Sequence, residues 1–180
     1  MAKKNWMKIH TYLSLFFMPM CLIYVLTGVG YIFKLKDDAG AKIHTIALES
    51  PLQEGREKEM IIDILKANNL KVPQNTSLEV VKGNLSMGNI KYVVSIQKDK
   101  SGQLVLKTME RSLYGVFVLM HKAKGGAIFN ALAICFATSL LMFYLSGLIV
   151  TTFCKRNRKV AGIAFSSGLI ICGIAIYLSV

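Results

Sequence analysis

The sequence predicts a membrane protein with three transmembrane α-helices and a small extracytoplasmic α+β domain. Three observations carry that expectation. Apolar residues make up 53 % of the 180 and charged residues only 18 %, with a mean hydropathy of +0.47. A disordered chain is less apolar than this, and a soluble domain rarely matches it. Residues 11–33, 128–153 and 160–180 contain no charged side chain, and about 20 apolar residues cross the hydrocarbon core of a bilayer as a helix. The charges that remain are sorted by position, as basic flanks and a mixed middle.

The first span opens the chain at residues 11–33. A cleaved signal peptide is the alternative. Its apolar region runs for roughly 7–15 residues, and this stretch is longer. Lys34 to Asp38 offer no small-residue cleavage site, and Ala39-Gly40-Ala41 lies too far downstream. The span therefore reads as an uncleaved anchor.

Lys3, Lys4 and Lys8 precede it, and Lys155, Arg156, Arg158 and Lys159 separate the second span from the third, with no acid in either place. Basic flanks stay in the cytoplasm. The expected topology has the N-terminus inside, residues 34–127 outside and Val180 outside. The formal charge of +12 is then mostly a topology signal, and a nucleic-acid partner is not expected. Cys21, Cys135 and Cys172 lie in spans and Cys154 at a boundary, with none in residues 34–127. A disulfide framework would place cysteines in the exposed segment. The absence of CxxC, CxxCH or paired zinc spacing disfavours covalent haem and zinc.

Within the exposed segment, 42–49 reads as a short strand ended by Pro51 to Gly55. Residues 57–69 place Met60, Ile61, Ile64 and Leu65 on one helical face, and Asn68, Asn69 and Pro73 end the helix. Residues 78–81 form a strand candidate broken at Gly83-Asn84. Residues 89–97 alternate, with Ile90, Tyr92, Val94 and Ile96 on one side. A turn at Asp99 to Gly102 leads to a returning strand over 103–109. One helix should cover one face of an antiparallel sheet, and the other face, polar, can meet water or a partner. Leu113 to Met120 form an apolar run too short to span. It reads as an interfacial helix, with extension of the second span as the alternative.

The end of the first span, Tyr24-Val25-Leu26-Thr27-Gly28, is echoed by Phe143-Tyr144-Leu145-Ser146-Gly147 in the second. Small residues in membrane helices ordinarily serve close packing. The sharper reading is an inverted repeat, since the two helices run in opposite directions.

The spans contain no Asp, Glu, Lys or Arg, and no His within residues 11–33, 128–153 or 160–180. This argues against an intramembrane proton relay and against an intramembrane protease. There is no phosphate-binding loop. His10 sits at the inner start of the first span, His121 at the outer approach to the second, and His44 in the first strand, on the face shared with Ile46 and Leu48. A boundary histidine is ordinarily interfacial, and His44 a half-buried strand residue. The chemically specific reading of His10 and His121 is axial ligation of b-type haem. From His10 to Phe33 a helix rises roughly 35 Å at 1.5 Å per residue. The two histidines therefore serve separate haems, each needing a second ligand from another copy, a partner or a weaker donor such as Met.

The stretch KIHTYLSLFFMPMCLIYVLTGVGYIF resembles the first helix of the bacterial PepSY-associated transmembrane family, which opens on a basic residue and a His and carries Thr-Gly near its outer end. LMHKAKGGAIFNALAICFATSLLMFYLSGLIV is similar to that family's second element. The resemblance covers residues 6–153 and implies a PepSY-like domain between the helices. It divides the chain into 1–33 (first span), 34–110 (PepSY-like domain), 111–127 (interfacial helix and linker), 128–153 (second span), 154–159 (basic loop) and 160–180 (third span). Some relatives are inner-membrane ferric-siderophore reductases carrying b haems. By that resemblance His10 and His121 are candidate haem ligands, and Lys122 and Lys124 candidate contacts for haem propionates or anionic lipid. The implied role is electron transfer for iron uptake or respiration in the bacterial inner membrane, as a homodimer or with a partner subunit. These relatives are longer and richer in histidine. The competing reading is a non-enzymatic accessory or assembly subunit that binds a partner through residues 34–127. A transporter ranks third.

Overall fold

The structure is a computed structural model that describes residues 3–48, 53, 55–81, 83–150 and 158–180. The expected strand end at Glu49, the break at Pro51, and Cys154, Lys155 and Arg156 lie outside the described residues. Among the described residues three helices are long and apolar enough to cross a membrane: α1 (Lys3–Ile32), α4 (Gly126–Val150) and α5 (Arg158–Ser179). α1 begins eight residues before its charge-free run, and α4 and α5 each begin two residues before theirs. Pro19 lies inside α1, where it removes one backbone donor; membrane helices tolerate this by local adjustment.

The chain divides into two compact units, one of Met1–Cys21 with Leu132–Val180 and the other of Leu22–Ala131. In the first, helical unit, α1 buries Phe17 and Met20, and α4 buries Phe136, Ser139 and Ser146. These positions recur at three- and four-residue steps, which places them on one stripe of each helix. The Phe17 and Phe136 rings meet with centroids 5.7 Å apart. The described side chains of α5 are exposed all round.

In the second, mixed unit, the remainder of α1 leads through a loop into β1 (Lys42–Ala47), α2 (Glu57–Ala67), β2 (Glu79–Val81), β3 (Asn84–Gly88), β4 (Tyr92–Lys98) and β5 (Leu104–Glu110), followed by α3 (Leu113–His121). The strands form one antiparallel sheet in the order β1-β5-β4-β3-β2. Ile61 and Leu65 of α2 pack on Met87, Tyr92, Val94, Ile96 and Leu106, with Ile64 partly buried beside them. The period-two and helical patterns of the sequence thus meet in one core. Ile90 is the exception to the expected alternation, because β4 begins only at Tyr92 and Asn89–Lys91 turn into it: the Asn89 side chain accepts from the Lys91 and Tyr92 amides at 2.9 and 3.0 Å.

The expected break at Gly83-Asn84 is a hairpin turn. Gly83 takes φ +79°, and Val81 pairs with Asn84. The chain then continues as β3, a strand the sequence does not predict. Asn, Ser, Met and Gly are poor strand formers, and β3 is held by pairing with β2 on one side and β4 on the other. The sheet face away from α2 is mixed rather than polar: exposed Ile43 and Val81 share it with Thr45, Ser95 and Lys107. His44 lies opposite Thr108, on the α2 side with Ile46, and is exposed.

The apolar run at 113–120 forms its own helix, α3, separated from α4 by a turn in which Ala123 takes φ +57°. Ser112 caps it and ties it to the loop after α1. Its Oγ accepts from the Gly115 amide at 3.1 Å and donates to the Ala39 carbonyl at 2.6 Å. Gly115 and Gly30 are close-approach positions. A Cβ at Gly115 would strike the Asp37 carbonyl oxygen, and one at Gly30 the Tyr114 hydroxyl.

Candidate functional site

Both boundary histidines are engaged, and in the same way. His121 ends α3. Its Nδ1 lies 2.7 Å from Thr27 Oγ1, and its ring stacks on Tyr24, with centroids 4.2 Å apart and planes 30° apart. His10 lies at the start of the third turn of α1. Its Nδ1 lies 2.8 Å from Ser146 Oγ, and its ring meets the edge of Phe143 at 5.5 Å. The echo between the spans thereby acquires a structural meaning. Its aromatic position (Tyr24, Phe143) and its hydroxyl position (Thr27, Ser146) are the residues that hold the two histidines. They lie three apart, on one helical face. Its glycine is not needed for clearance at Gly28, where a Cβ would sit 3.9 Å from His121 Cε1, an ordinary contact.

Each hydroxyl engages one ring nitrogen of its histidine. Thr27 Oγ1 also lies 2.6 Å from the Ile23 carbonyl and Ser146 Oγ 3.1 Å from the Phe143 carbonyl. A hydroxyl has one proton to donate, which can go to the carbonyl or to the imidazole, so both tautomers of each histidine are compatible with these contacts. In either case Nδ1 is the engaged nitrogen, and a hydrogen bond at one ring nitrogen orients an imidazole whose other nitrogen can act.

His121 has further surroundings. With Thr27, Gly28, Tyr31, Val118 and Lys122 it lines a cavity of about 280 Å³, close to the lower bound of small-molecule sites at about 300 Å³. Lys122 lies with its Nζ 4.6 Å from the Tyr31 ring centroid and 3.7 Å from Asp37 Oδ1. Asp37 also faces Arg111, whose Nε is 3.8 Å from Oδ2 and whose Nη1 donates to the Ile90 carbonyl at 2.8 Å. Burial lowers the pKa of Arg111, and the Asp37 carboxylate beside it opposes that shift. Asp37 thus ties the loop after α1 to both ends of α3. Lys124 is exposed, and its position beside the cavity residue Lys122 gives it no described contact with the histidine.

Of the residues singled out in the sequence, His121 and Lys122 therefore meet at one cavity, His10 belongs to the other unit, and His44 joins neither site. Thr27, Ser146, Tyr24 and Phe143 are site residues that reading the histidines alone does not find. Among the described residues no three His, Cys, Asp or Glu side chains converge as a metal site. Each histidine has one ring nitrogen engaged by a hydroxyl and an aromatic ring beside it, and a cavity is described at His121 alone.

No protein-family model, curated protein or solved structure matches the chain. The geometry therefore carries the functional argument.

Proposed function

We propose that the chain is an inner-membrane protein of PepSY type that binds b-type haem through His10 and His121 and passes electrons for ferric-siderophore reduction or respiration. One observation carries this reading. Two histidines in two different units each have Nδ1 held by a helix hydroxyl and the ring beside an aromatic side chain, which leaves Nε2 as the nitrogen that would ligate. Haem, when bound, would supply the one-electron chemistry. The protein would orient the imidazoles and wall the sites with apolar side chains. The basic flanks support a cytoplasmic N-terminus with residues 34–127 in the periplasm, so His10 would serve the inner side and His121 the outer. Lys122, already beside Asp37, is the cation placed to meet a propionate at the His121 cavity, while Lys124 is free to face anionic lipid.

The test is an absorption spectrum of detergent-purified protein, air-oxidised and then dithionite-reduced. A sharp reduced b-type band that disappears in the His10→Ala/His121→Ala double variant is the expected result. A featureless spectrum from cells supplied with haem would overturn the reading. It would leave the second one, an accessory subunit that docks a partner on residues 34–127. The mixed sheet face with exposed Ile43 and Val81 favours that alternative, because such a face can take up a partner's apolar side chains.

A further inference from the structure

Among the described residues the sheet ends at β1 on one side and at β2 on the other, and the two edges are built differently. An edge presents a row of unpaired backbone groups, which folded proteins blunt by shortness, charge, proline or a bulge. β2 follows that rule, with three residues of which the first is Glu79. β1 does not. Lys42–Ala47 run for six residues in unbroken register with β5 and contain no proline. All of them except Ile46 are exposed.

The register fixes which backbone groups face outward. The Leu48 amide donates to the Leu104 carbonyl at 2.9 Å, one step beyond the pair of Ala47 and Val105. Bonded positions alternate along an antiparallel pair. Lys42, His44 and Ile46 therefore bond to β5, while the N–H and C=O groups of Ile43, Thr45 and Ala47 point to the open edge. No other described strand or turn meets them.

The side-chain rows say what suits this edge. On the face away from α2, Val93, Met109 and Ile43 form one row, and Ser95, Lys107 and Thr45 the next. Val93 and Met109 are half-buried and Ile43 is exposed, so an added strand continues the first row with an apolar residue opposite Ile43. Lys107 has only uncharged residues directly and diagonally beside it on this face, and among the described residues it enters no ion pair. Lys42, by contrast, has Glu110 opposite. An acidic side chain opposite Thr45 would stand two strand spacings, about 10 Å, from Lys107, a gap that the two long side chains cover together.

We propose that β1 is a strand-addition site for an extended segment of another protein in which apolar and acidic residues alternate. The segment pairs its backbone with Ile43, Thr45 and Ala47, packs an apolar side chain on Ile43 and sets an acid toward Lys107. The proposal is independent of haem and gives the partner-docking reading a defined edge.

The test titrates the full-length protein in lipid nanodiscs with two synthetic probes, short peptides of alternating glutamate and valine or of alternating lysine and valine. Amide hydrogen exchange is the readout. The glutamate peptide should slow exchange at Ile43, Thr45 and Ala47 and leave His44 and Ile46 unchanged, because those two amides are already bonded to β5. The lysine peptide should bind roughly tenfold more weakly, and Lys107→Glu should reverse the preference. Thr45→Pro removes one outward N–H, which an edge strand tolerates. It should abolish binding while the amides of Val93 and Val94 keep their protection. Slow exchange at Ile43, Thr45 and Ala47 in the free monomer would overturn the proposal, because the chain itself would then cover the edge. Protection that rises with protein concentration would overturn it in favour of a second copy. Equal binding of both peptides, or of neither, would also overturn it. The haem reading is tested separately by the absorption spectrum, so the two can fail independently.

Discussion

His121 sits in a unit braced by a five-stranded sheet, an N-capped helix tied to the loop before it and an aspartate shared by two cations, whereas His10 sits among helices whose described contacts are mainly apolar. Both histidines use the same grip, an aromatic ring and a hydroxyl three residues apart on a neighbouring helix. The two contacts are nearly equal in length, 2.7 Å at Thr27 and 2.8 Å at Ser146. They differ in the side chain that makes them, since a β-branched threonine has fewer rotamers to lose than serine. The comparison teaches that one local device can be supported in two ways, by a folded polar scaffold and by helix packing. It follows that the sites should fail under different perturbations.

The largest break should come from the core of the mixed unit. Leu65→Ala opens a cavity under α2, where Leu65 is fully buried against the sheet. We expect a loss of about 2–5 kcal/mol. Hydrogen exchange should report it over β3, β4 and β5, with protection of α4 around Ser146 unchanged. Equal loss of protection in both regions would show that the two units do not fold as separable bodies.

Thr27→Val comes next. It removes the hydroxyl partner of His121 Nδ1 and should cost about 1–3 kcal/mol, with Thr27→Ser restoring most of it. Ser146→Ala should perturb His10 in the same way, through its own 2.8 Å contact. The readout that a merely structural role would not move is the imidazole nitrogen chemical shift: Thr27→Val should move that of His121 while His10 keeps its own. A response of both histidines to Thr27→Val would show that the two sites are not independent.

Ser112→Ala should cost about 1 kcal/mol as the loss of an N-cap, somewhat more if the bond to Ala39 is counted. Thermal unfolding of the mixed unit measures it, and the His10 ring environment should not change.

The smallest effect concerns pH. Asp99 accepts from the Ser101 hydroxyl at 2.6 Å and from the Ser101 and Gln103 amides at 2.8 and 3.0 Å. The Ser101 side-chain bond lowers its pKa from the ordinary 3.8; desolvation opposes it next, and the Ser101, Gln103 and Gly102 amides add to the lowering. A carboxylate whose folded pKa is depressed stabilises the fold above its unfolded pKa, and that support fades as pH falls through the folded value. The β4–β5 hairpin should therefore weaken only in acid below the ordinary carboxylate range. Asp99→Asn should flatten that limb of the stability profile. An acid limb unchanged in the variant would assign it to other carboxylates.

Much of the fold was legible because its signals are local. A run without charge, such as 160–180, states its own preference for lipid. Ile61 and Leu65 four apart, or Tyr92, Val94 and Ile96 two apart, declare a buried face without knowledge of what covers it. The Asp99 to Gly102 turn is equally local. β3 was not legible, since Asn84 to Gly88 form a strand only through the neighbours on either side. The site was half legible: the histidines and the aromatic–hydroxyl echo were each visible in the sequence, but not that one holds the other.

The sequence by itself determined three apolar helices, a sheet covered by one helix, and the positions of His10 and His121 near the ends of charge-free runs. These follow from solvation and from the periods of helix and strand, which act over a few residues. Only the tertiary structure decided that Thr27 meets His121 and Ser146 meets His10, across separations of 94 and 136 residues. A hydrogen bond carries no period along the chain. It exists only where packing brings donor and acceptor within about 3 Å, and here that packing sets which nitrogen of each histidine remains to act.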